Sequence, residues 1–393
     1  MFATLSAAEP DVILSLMAAF RADPRPGKVD LGVGVYRDAA GQTPIFAAIR
    51  DAEARLLATQ TTKTYVGLTG DMGFVAALGS LSFGDALAGD CAGAQSVGGS
   101  GALYVLARLI RAAAPQTVLH VPTPTWPNHR NLLGQGAGLR VEGYPYLTPD
   151  GGAVDAPGMI AALKQLGPGD AVVLHASCHN PSGLDLNHAQ WAEIARSAAM
   201  HGWLPLFDAA YLGFGAGPTD DAAGMRMVME AVPEALVAVS CSKTFGMYRD
   251  RVGAAFAMVK SASARAAVQD RLAAVNREHL SMPPDHGASA VRMVLEDDGL
   301  RASWAAELEG MRMRIDRLRR TLDADLAPLP GGQRWCGLSG GKGLFATLPL
   351  SPAQIGVLRA DHAIYVVPGG RINVAGLSEA VAGRVAAALA GLV

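Results

Sequence analysis

The feature that most constrains the fold of this chain is the alternation of short β-branched runs with Ala- and Leu-rich stretches through its middle part. The apolar residues of the Ala- and Leu-rich stretches recur at intervals of three and four, the spacing of an amphipathic helix. Strands that alternate with helices build a mainly parallel sheet covered by helices. The sequence therefore predicts an α/β fold, with candidate strands at 117–121, 139–144, 171–176, 203–208, 236–241 and 252–259.

The same pattern divides the chain into a larger and a smaller lobe. Residues 45–310 carry the alternation and are predicted to form the large domain. The amphipathic stretch 303–326 is long enough to cross between two lobes, and the Pro- and Gly-rich segment after it ends the helix. We expect residues 13–44 and 311–393 to form a small α/β domain, and residues 1–12 to be an N-terminal arm without a core of its own.

Composition narrows the range of partners. Half of the 393 residues are hydrophobic and 17% are charged, so the chain can bury a large core. The formal charge of −2 lacks the basic excess that favours nucleic acid or an anionic membrane, so we expect neither partner. Four cysteines without a C-x-x-C pair are typical of a reducing compartment. The chain has neither a signal-peptide pattern nor a run of 18 apolar residues, so we expect a cytoplasmic protein.

Polar segments that follow the predicted strands are the candidates for a functional site. Ligands of open α/β sheets bind beyond the carboxyl ends of the strands. Four segments stand out at such places: 98–101 (GGSG), 177–183 (SCHNPSG), 208–211 (DAAY) and 240–251 (SCSKTFGMYRDR).

The GGSG segment leads into an amphipathic helix and has the composition of an anion site. Its glycines let the backbone approach an anion, the helix N-terminus offers free N–H groups, and Ser100 adds a hydroxyl. A tight turn with a serine cap is the alternative interpretation. The chain contains neither G-x-G-x-x-G nor G-x-x-x-x-G-K-[ST], so the usual markers of dinucleotide and nucleoside-triphosphate sites are missing.

Two charged residues end apolar strands. Lys243 follows LVAVSCS, and an amine delivered by a buried strand can form a Schiff base. Asp208 closes WLPLFD, where a carboxylate can pair with a protonated ring nitrogen. Each residue alone can also be a turn or a cap. Together with GGSG they describe a pyridoxal 5'-phosphate site, with the phosphate at the helix N-terminus, the aldehyde on the lysine and the pyridinium on the aspartate.

Eight blocks of the sequence, in order, carry a more specific signal. They resemble the signature blocks of the aspartate and aromatic amino acid aminotransferases, which are fold-type I pyridoxal-phosphate enzymes. The resemblance implies an amino-group transfer from an aromatic amino acid and/or aspartate to 2-oxoglutarate by a ping-pong reaction. The blocks run from residue 31 to 376: LGVGVY, TTKTYVG, GGSGAL, PTWPNH, HNPSG, LFDAAYLGF, SCSKTFGMYRDRVG and GRINVAG.

The resemblance also assigns roles around the cofactor. Lys243 would carry the cofactor and move the α-proton of the substrate, and Asp208 would keep the pyridine nitrogen protonated. Asn180 and Tyr211 would hydrogen-bond the ring oxygen, and Trp126 would stack on the ring. The implied phosphate contacts are Gly99, Ser100, Ser240, Ser242 and Arg251, with Tyr65 from a second subunit. A homodimer with shared active sites follows from this set.

Two further arginines match the substrate contacts of the family. Arg371 matches the arginine that binds the α-carboxylate, where a planar guanidinium makes two parallel bonds. Arg277 matches the arginine for the distal carboxylate of aspartate or glutamate, and a surface charge at a helix end is the alternative. Gly34, Trp126 and Asn180 complete the implied substrate contacts. Further matches near the ring and the substrate are Asn128, His129, His175 and Phe345.

The chain departs from the family pattern near the substrate. Met282 stands where aspartate-selective members commonly have asparagine, and this change favours a pocket that also admits aromatic side chains. Lys342 and Leu344 also differ from the familiar pattern around Gly343, in the loop before Phe345. A strictly aspartate-specific aminotransferase remains the alternative within the family.

Three other interpretations are weaker. Ser240 and Lys243 form S-x-x-K, but the S-D-N and K-T-G partners of penicillin-recognising enzymes are missing. His175, Cys178 and His179 resemble metal ligands, but no second cluster supports zinc. A non-catalytic regulator that binds pyridoxal phosphate usually adds a DNA-binding module, for which this chain has neither the length nor the basic charge.

Overall fold

The fold is described by a computed structural model that covers residues 2–6 and 11–392. The arm predicted for residues 1–12 therefore lies partly outside the described residues, as does the last residue of the predicted small domain. The strands are β1 Val29–Asp30, β2 Cys91–Val97, β3 Val118–Thr123, β4 Arg140–Pro145, β5 Asp170–His175, β6 Leu204–Ala209, β7 Glu234–Ser240, β8 Val252–Val259, β9 Phe345–Thr347, β10 Ile364–Tyr365 and β11 Arg371–Asn373.

Helices connect and cover these strands. The α-helices are α1 Val12–Ala22, α2 Ala47–Thr59, α3 Met72–Phe83, α4 Asp85–Gly89, α5 Gly98–Ala113, α6 Ala156–Leu163, α7 His188–His201, α8 Pro218–Asp221, α9 Ala223–Ala231, α10 Cys241–Thr244, α11 Ala262–His279, α12 His286–Glu296, α13 Asp298–Leu326, α14 Pro352–His362 and α15 Glu379–Ala390. Among the described residues, no helix is both long and apolar enough to cross a membrane.

A seven-stranded sheet, in the order β2-β8-β7-β6-β5-β3-β4, is the largest sheet of the described ranges. Strands β7, β6, β5, β3 and β4 pair in parallel, and β8 runs antiparallel to both of its neighbours. The predicted α/β fold with a mainly parallel sheet is confirmed. The six predicted strands are all present, with ends that differ by at most a few residues. Strand β2 was not predicted, because CAGAQSV has a single β-branched residue.

The sheet is buried on both faces, which explains the continuous apolar runs of its strands. Side chains alternate along β5: Val172 and Leu174 pack in one apolar cluster, and Ala171 and Val173 pack in the other. Helix α5 packs in the second cluster through its own apolar stripe. This packing holds the first turn of α5 against the sheet.

Helix α13 connects the central sheet to the C-terminal elements. Its predicted stripe, including Leu308, Ile315 and Leu318, is buried, and the helix ends where the Pro- and Gly-rich segment begins. Near its N-terminal end, the Trp304 indole N–H donates to the carbonyl of Thr244 at 2.8 Å. The indole also stacks on Phe245, with ring centroids 4.8 Å apart. Trp304 therefore braces the short segment that follows β7.

Replacing Trp304 with phenylalanine tests this brace. Trp304→Phe leaves the Thr244 carbonyl without its donor and opens a small cavity, so we expect the free energy of unfolding to fall by about 2–3 kcal/mol. Urea denaturation measures this change. The control is Met313→Ala on the exposed side of the same helix, which should change the free energy of unfolding by no more than about 0.5 kcal/mol. Equal effects of the two substitutions would contradict the bracing role.

Candidate active site

One cavity of about 160 Å³ lies at the carboxyl ends of the central strands. Parallel pairing brings these ends together, since His175 pairs with Asp208 and Asp208 pairs with Ala238 in neighbouring strands. Strand β2 runs in the same direction as β7, because both are antiparallel to β8. Its carboxyl end therefore delivers α5 to the same edge. The cavity is lined by Gly99, Ser100, Leu103, Trp126, Asn180, Asp208, Ala210, Tyr211, Ser240, Ser242, Lys243 and Arg251.

The first turn of α5 forms one end of the cavity. The helix begins at Gly98, which has a φ of +67°, so the GGSG segment is the first turn and not a loop before it. A Cβ on Gly99 would lie 2.9 Å from the Cβ of Ser240, so only glycine allows this approach to β7. Arg251 Nη1 donates to Ser242 Oγ at 3.0 Å beside this turn. A guanidinium, serine hydroxyls and free helical N–H groups together make a site for an anion.

Lys243 lies in α10, directly after β7. Its Nζ is 4.9 Å from the ring centroid of Tyr211, and it makes no hydrogen bond to any described residue. Burial lowers the pKa of Lys243 to about 8, with the nearby Asp208 charge acting in the opposite direction. A lysine in this state is partly neutral near pH 8, which is the form that acts as a nucleophile or a base.

Asp208 is buried at the end of β6 and forms part of a hydrogen-bonded chain. Its Oδ2 is 3.1 Å from His129 Nε2, and His129 Nδ1 is 2.7 Å from Thr125 Oγ1. Burial raises the pKa of Asp208, but the hydrogen bond from His129 and the neighbouring positive charges outweigh burial and lower it overall. A carboxylate accepts hydrogen bonds only, so His129 donates from Nε2. Asp208 is therefore a fixed negative charge at the cavity wall.

Asn180 and Tyr211 are neighbours in the wall of the cavity. Asn180 Nδ2 donates to the Tyr211 hydroxyl at 3.4 Å, and Asn180 Oδ1 is buried without a hydrogen-bond partner. Burial raises the pKa of Tyr211, so its hydroxyl keeps its proton and can donate. An unpartnered buried polar atom costs free energy unless a ligand satisfies it. Both side chains thus offer polar atoms to a ligand in the cavity.

Arg371 lies next to this cavity and is buried. Its guanidinium is 4.5 Å from the Phe345 ring centroid, and Nη2 donates to the Gly32 carbonyl at 2.8 Å. The Nε atom is buried and unpartnered. A Cβ on Gly34 would lie 3.0 Å from Phe345 Cζ, so Gly34 lines the same corner. Burial lowers the pKa of Arg371, because removal from water disfavours the charged form of the guanidinium.

Tyr65 and Arg277 are not brought to the cavity within one chain. The Tyr65 side chain is 86% exposed. The Arg277 side chain is exposed at the end of α11, where Nη1 donates to Ser281 Oγ at 2.6 Å. Neither residue lines the cavity, so a single chain leaves both outside it.

Sequence reasoning missed three residues at the site. Leu103 and Ala210 line the cavity, and Thr125 bonds His129. Leu103 lies four residues after Gly99, and residues four apart share one face of a helix, so the spacing contained this signal. Thr125 lies four residues before His129, and the turn between them brings the two side chains together. No sequence pattern marks this contact.

The comparisons with known proteins agree with this geometry. The family described as "Aminotransferase class I and II" matches residues 26–389. The tyrosine aminotransferase of Rhizobium meliloti (strain 1021) is 47% identical over 98% of each chain, and the aspartate aminotransferase of Escherichia coli (strain K12) is 38% identical over 96% of each.

A solved structure matches over nearly the whole chain. It is an aromatic-amino-acid aminotransferase from Burkholderia pseudomallei, described as covalently bound to pyridoxal phosphate. It is 38% identical, covers 99% of this chain and 98% of its own, and superposes with a TM-score of 0.95. With a matching family, matching relatives and a cavity of the corresponding chemistry, the chain belongs to the class I and II aminotransferase family.

Proposed function

We propose that this aminotransferase accepts both aromatic and dicarboxylic amino donors and returns the amino group to 2-oxoglutarate. Its cofactor is pyridoxal 5'-phosphate, as the family and the Burkholderia pseudomallei structure indicate. When bound, the cofactor supplies an aldehyde that condenses with amines and a ring that takes up electrons from the neighbouring carbon. The protein supplies binding, orientation and proton transfer.

The observation that carries the proposal is the fit of one cavity to every part of this cofactor. The first turn of α5 with Ser240, Ser242 and Arg251 matches a phosphate dianion, since the charges are opposite and donors surround the space. Lys243 offers the amine and Asp208 offers the negative charge for a ring nitrogen. The remaining ring contacts in our proposal are Trp126, Asn180 and Tyr211.

Lys243 and Asp208 would divide the proton chemistry. Because the pKa of Lys243 is lowered, its Nζ can accept a proton from the substrate Cα and later give it back. Because the pKa of Asp208 is also lowered, its carboxylate stays charged and holds a proton on a facing nitrogen. His129 fixes the orientation of that carboxylate through the 3.1 Å hydrogen bond.

Arg371 would bind the α-carboxylate of the substrate. A guanidinium can make two parallel bonds to a carboxylate, and the buried Nε of Arg371 has no partner within the described part of the chain. We propose that Arg371 and Gly34 belong to a small domain of residues 13–44 and 311–393. Lys243 would belong to a large domain of residues 45–310, so the substrate would bind between the two.

The proposed dual specificity rests on the surroundings of Arg277. Its side chain is exposed and bonds Ser281, which directly precedes the half-buried Met282. Arginine can pair with a distal carboxylate, while the flexible thioether of methionine suits an aromatic ring. The relatives support both classes, since one is named for tyrosine and another for aspartate. Strict aspartate specificity is the alternative.

We also propose that the working unit is a homodimer. Tyr65 is 86% exposed, and exposed apolar side chains of the neighbouring segments include Leu57, Val66 and Met72. A second copy would cover this surface and bring Tyr65 and Arg277 to the cavity. The four cysteines are free thiols, which supports the expected cytoplasmic location.

Borohydride reduction of the purified holoenzyme, followed by peptide mapping, should place the pyridoxyl group on Lys243. The Lys243→Ala variant should retain the phosphate site but lose the amine that accepts the proton. We therefore expect kcat to fall by about 10²–10⁴-fold or more. Lys164→Ala, at an exposed lysine, is the matched control and should keep full activity. A label on another lysine would overturn the assignment.

Mixed dimers test the shared site. If the sites are shared, a dimer of one Tyr65→Phe subunit and one Lys243→Ala subunit has one site with both changes and one site with neither. At low cofactor concentration, the activity of the mixture should therefore exceed the mean activity of the two parent homodimers. The control pairs Tyr65→Phe with a subunit that carries both changes, which leaves no native site. If the two mixtures have equal activity, the sites are not shared.

Arg277→Leu tests the substrate proposal. The substitution removes a charged partner of the distal carboxylate. It should lower kcat/KM for aspartate by an amount that corresponds to about 2–4 kcal/mol of lost transition-state stabilisation. We expect kcat/KM for phenylalanine to change much less. Steady-state kinetics with both donors measure the difference. Arg271→Leu, also exposed on α11, should leave both values unchanged. Equal losses for both donors would make Arg277 structural, and an unmodified enzyme inactive with phenylalanine would favour strict aspartate specificity.

A further inference from the structure

Arg319 is a buried cation outside the active-site cavity. Its side chain belongs to α13 and is 1% exposed. Among the described residues, no carboxylate lies within ion-pairing distance of its guanidinium. Burial lowers the pKa of Arg319 to about 10, so the cation is held at an energetic cost. Such a group needs compensating hydrogen bonds.

Those bonds all come from one stretch of backbone, residues 338–345, which we name the clamp segment. Arg319 Nη1 donates to the Leu338 carbonyl at 2.9 Å. Arg319 Nη2 donates to the carbonyls of Lys342, at 3.1 Å, and Gly343, at 3.0 Å, and also to that of Phe345. The clamp segment has little regular secondary structure, so the guanidinium supplies hydrogen bonds that a strand or a helix would otherwise provide.

The clamp segment ends in the residue that supports Arg371. Phe345 opens β9, and β9 pairs with β11, which carries Arg371. The Arg371 guanidinium lies 4.5 Å from the Phe345 ring centroid. The same ring makes an edge contact with Tyr211, with centroids 5.9 Å apart. The position of the Phe345 backbone therefore determines the surface on which Arg371 rests.

The clamp segment also fixes the turn that carries Asn180. The Lys342 N–H donates to the Gly183 carbonyl at 2.7 Å. A Cβ on Gly183 would lie 2.2 Å from the Phe345 carbonyl oxygen and 2.9 Å from Arg319 Nη2. Gly183 also has a φ of +71°, a conformation that favours glycine. Arg319, the clamp segment and the Asn180 turn thus pack as one unit.

We propose that Arg319 is a positioning residue for substrate binding: it holds Phe345, and through Phe345 it orients Arg371 toward the substrate α-carboxylate. This inference rests on the proposed function, in which Arg371 binds that carboxylate. Arginine suits the task because one planar guanidinium donates in several fixed directions, whereas lysine presents a single point charge.

The test compares two amines in the holoenzyme of an Arg319→Met variant. Phenylalanine has the carboxylate that Arg371 would bind, and 2-phenylethylamine is the same amine without it. Single-turnover absorbance changes of the cofactor give the rate constant with each. We expect the apparent second-order constant for phenylalanine to fall by about 10- to 100-fold and that for 2-phenylethylamine to change by less than about twofold. Arg320→Met, at the exposed neighbouring arginine, is the matched control.

A double-substitution cycle shows whether the effect passes through Arg371. Adding Arg319→Met to an Arg371→Leu enzyme should produce little further loss with phenylalanine, because the group that Arg319 orients is already missing. Full additivity would overturn the proposal. Equal losses for the two amines would also overturn it, since they would indicate a general disturbance of the fold.

If Arg319→Met does not yield folded holoenzyme, Arg319→Lys is judged by the same criteria, and we expect an intermediate loss confined to phenylalanine. Failure of both variants to fold would contradict a positioning role. If the unmodified enzyme carries no cofactor on Lys243 and does not transaminate phenylalanine, the proposed function fails. If the unmodified enzyme carries the cofactor on Lys243 and transaminates phenylalanine, and the Arg319 variants behave like the unmodified enzyme, only the positioning role of Arg319 fails.

Discussion

The parallel pairing of β5, β6 and β7 is the constraint on which the rest of the site depends. Strands that run in the same direction end at the same edge, so each can deliver one polar residue to a common cavity. Asp208 comes from β6, Asn180 follows β5 and Lys243 follows β7. Strand β8 is antiparallel to both β2 and β7, so β2 runs in the same direction as β7. The helix α5, which follows β2, therefore begins at the same edge of the sheet.

Burial of charged side chains is the second effect that organises the structure. The hydrogen bonds that compensate the buried charge differ from residue to residue. Asp208 is compensated by His129 and stays ionised. Lys243 is not compensated by a hydrogen bond, and its pKa falls to about 8. The Nε atoms of Arg371 and Arg319 are both buried without a partner, but both terminal nitrogens of Arg319 donate to backbone carbonyls. Lys243 and Arg371 thus keep unpartnered nitrogen atoms at or beside the cavity, where a ligand can bind them, and backbone carbonyls bind the terminal nitrogens of the Arg319 cation farther away.

Most of the central strands, their covering helices and the charged residues at the strand ends can be predicted from the local sequence. The apolar run before Lys243 and the one before Asp208 mark buried strands that end in a charge, and the period of three to four marks the covering helices. Strand β2 was not predicted because its Gly- and Ala-rich sequence has weak β propensity, and pairing with β8 along the whole of β2 overrides that preference. The start of α5 was misplaced because glycine is a poor helix former, yet close packing against Ser240 requires it there.

The sequence by itself determined the fold class, six of the seven strands of the central sheet and the chemical types gathered at the strand ends. These depend on periodicity and on strand-end residues, which are local properties. Only the tertiary structure decided that His129 bonds Asp208, that Arg319 binds the carbonyls of residues 338–345 and that Tyr65 lies outside the cavity of its own chain. Such contacts depend on the distances between segments far apart in sequence, and those distances are set by how the helices pack on the sheet.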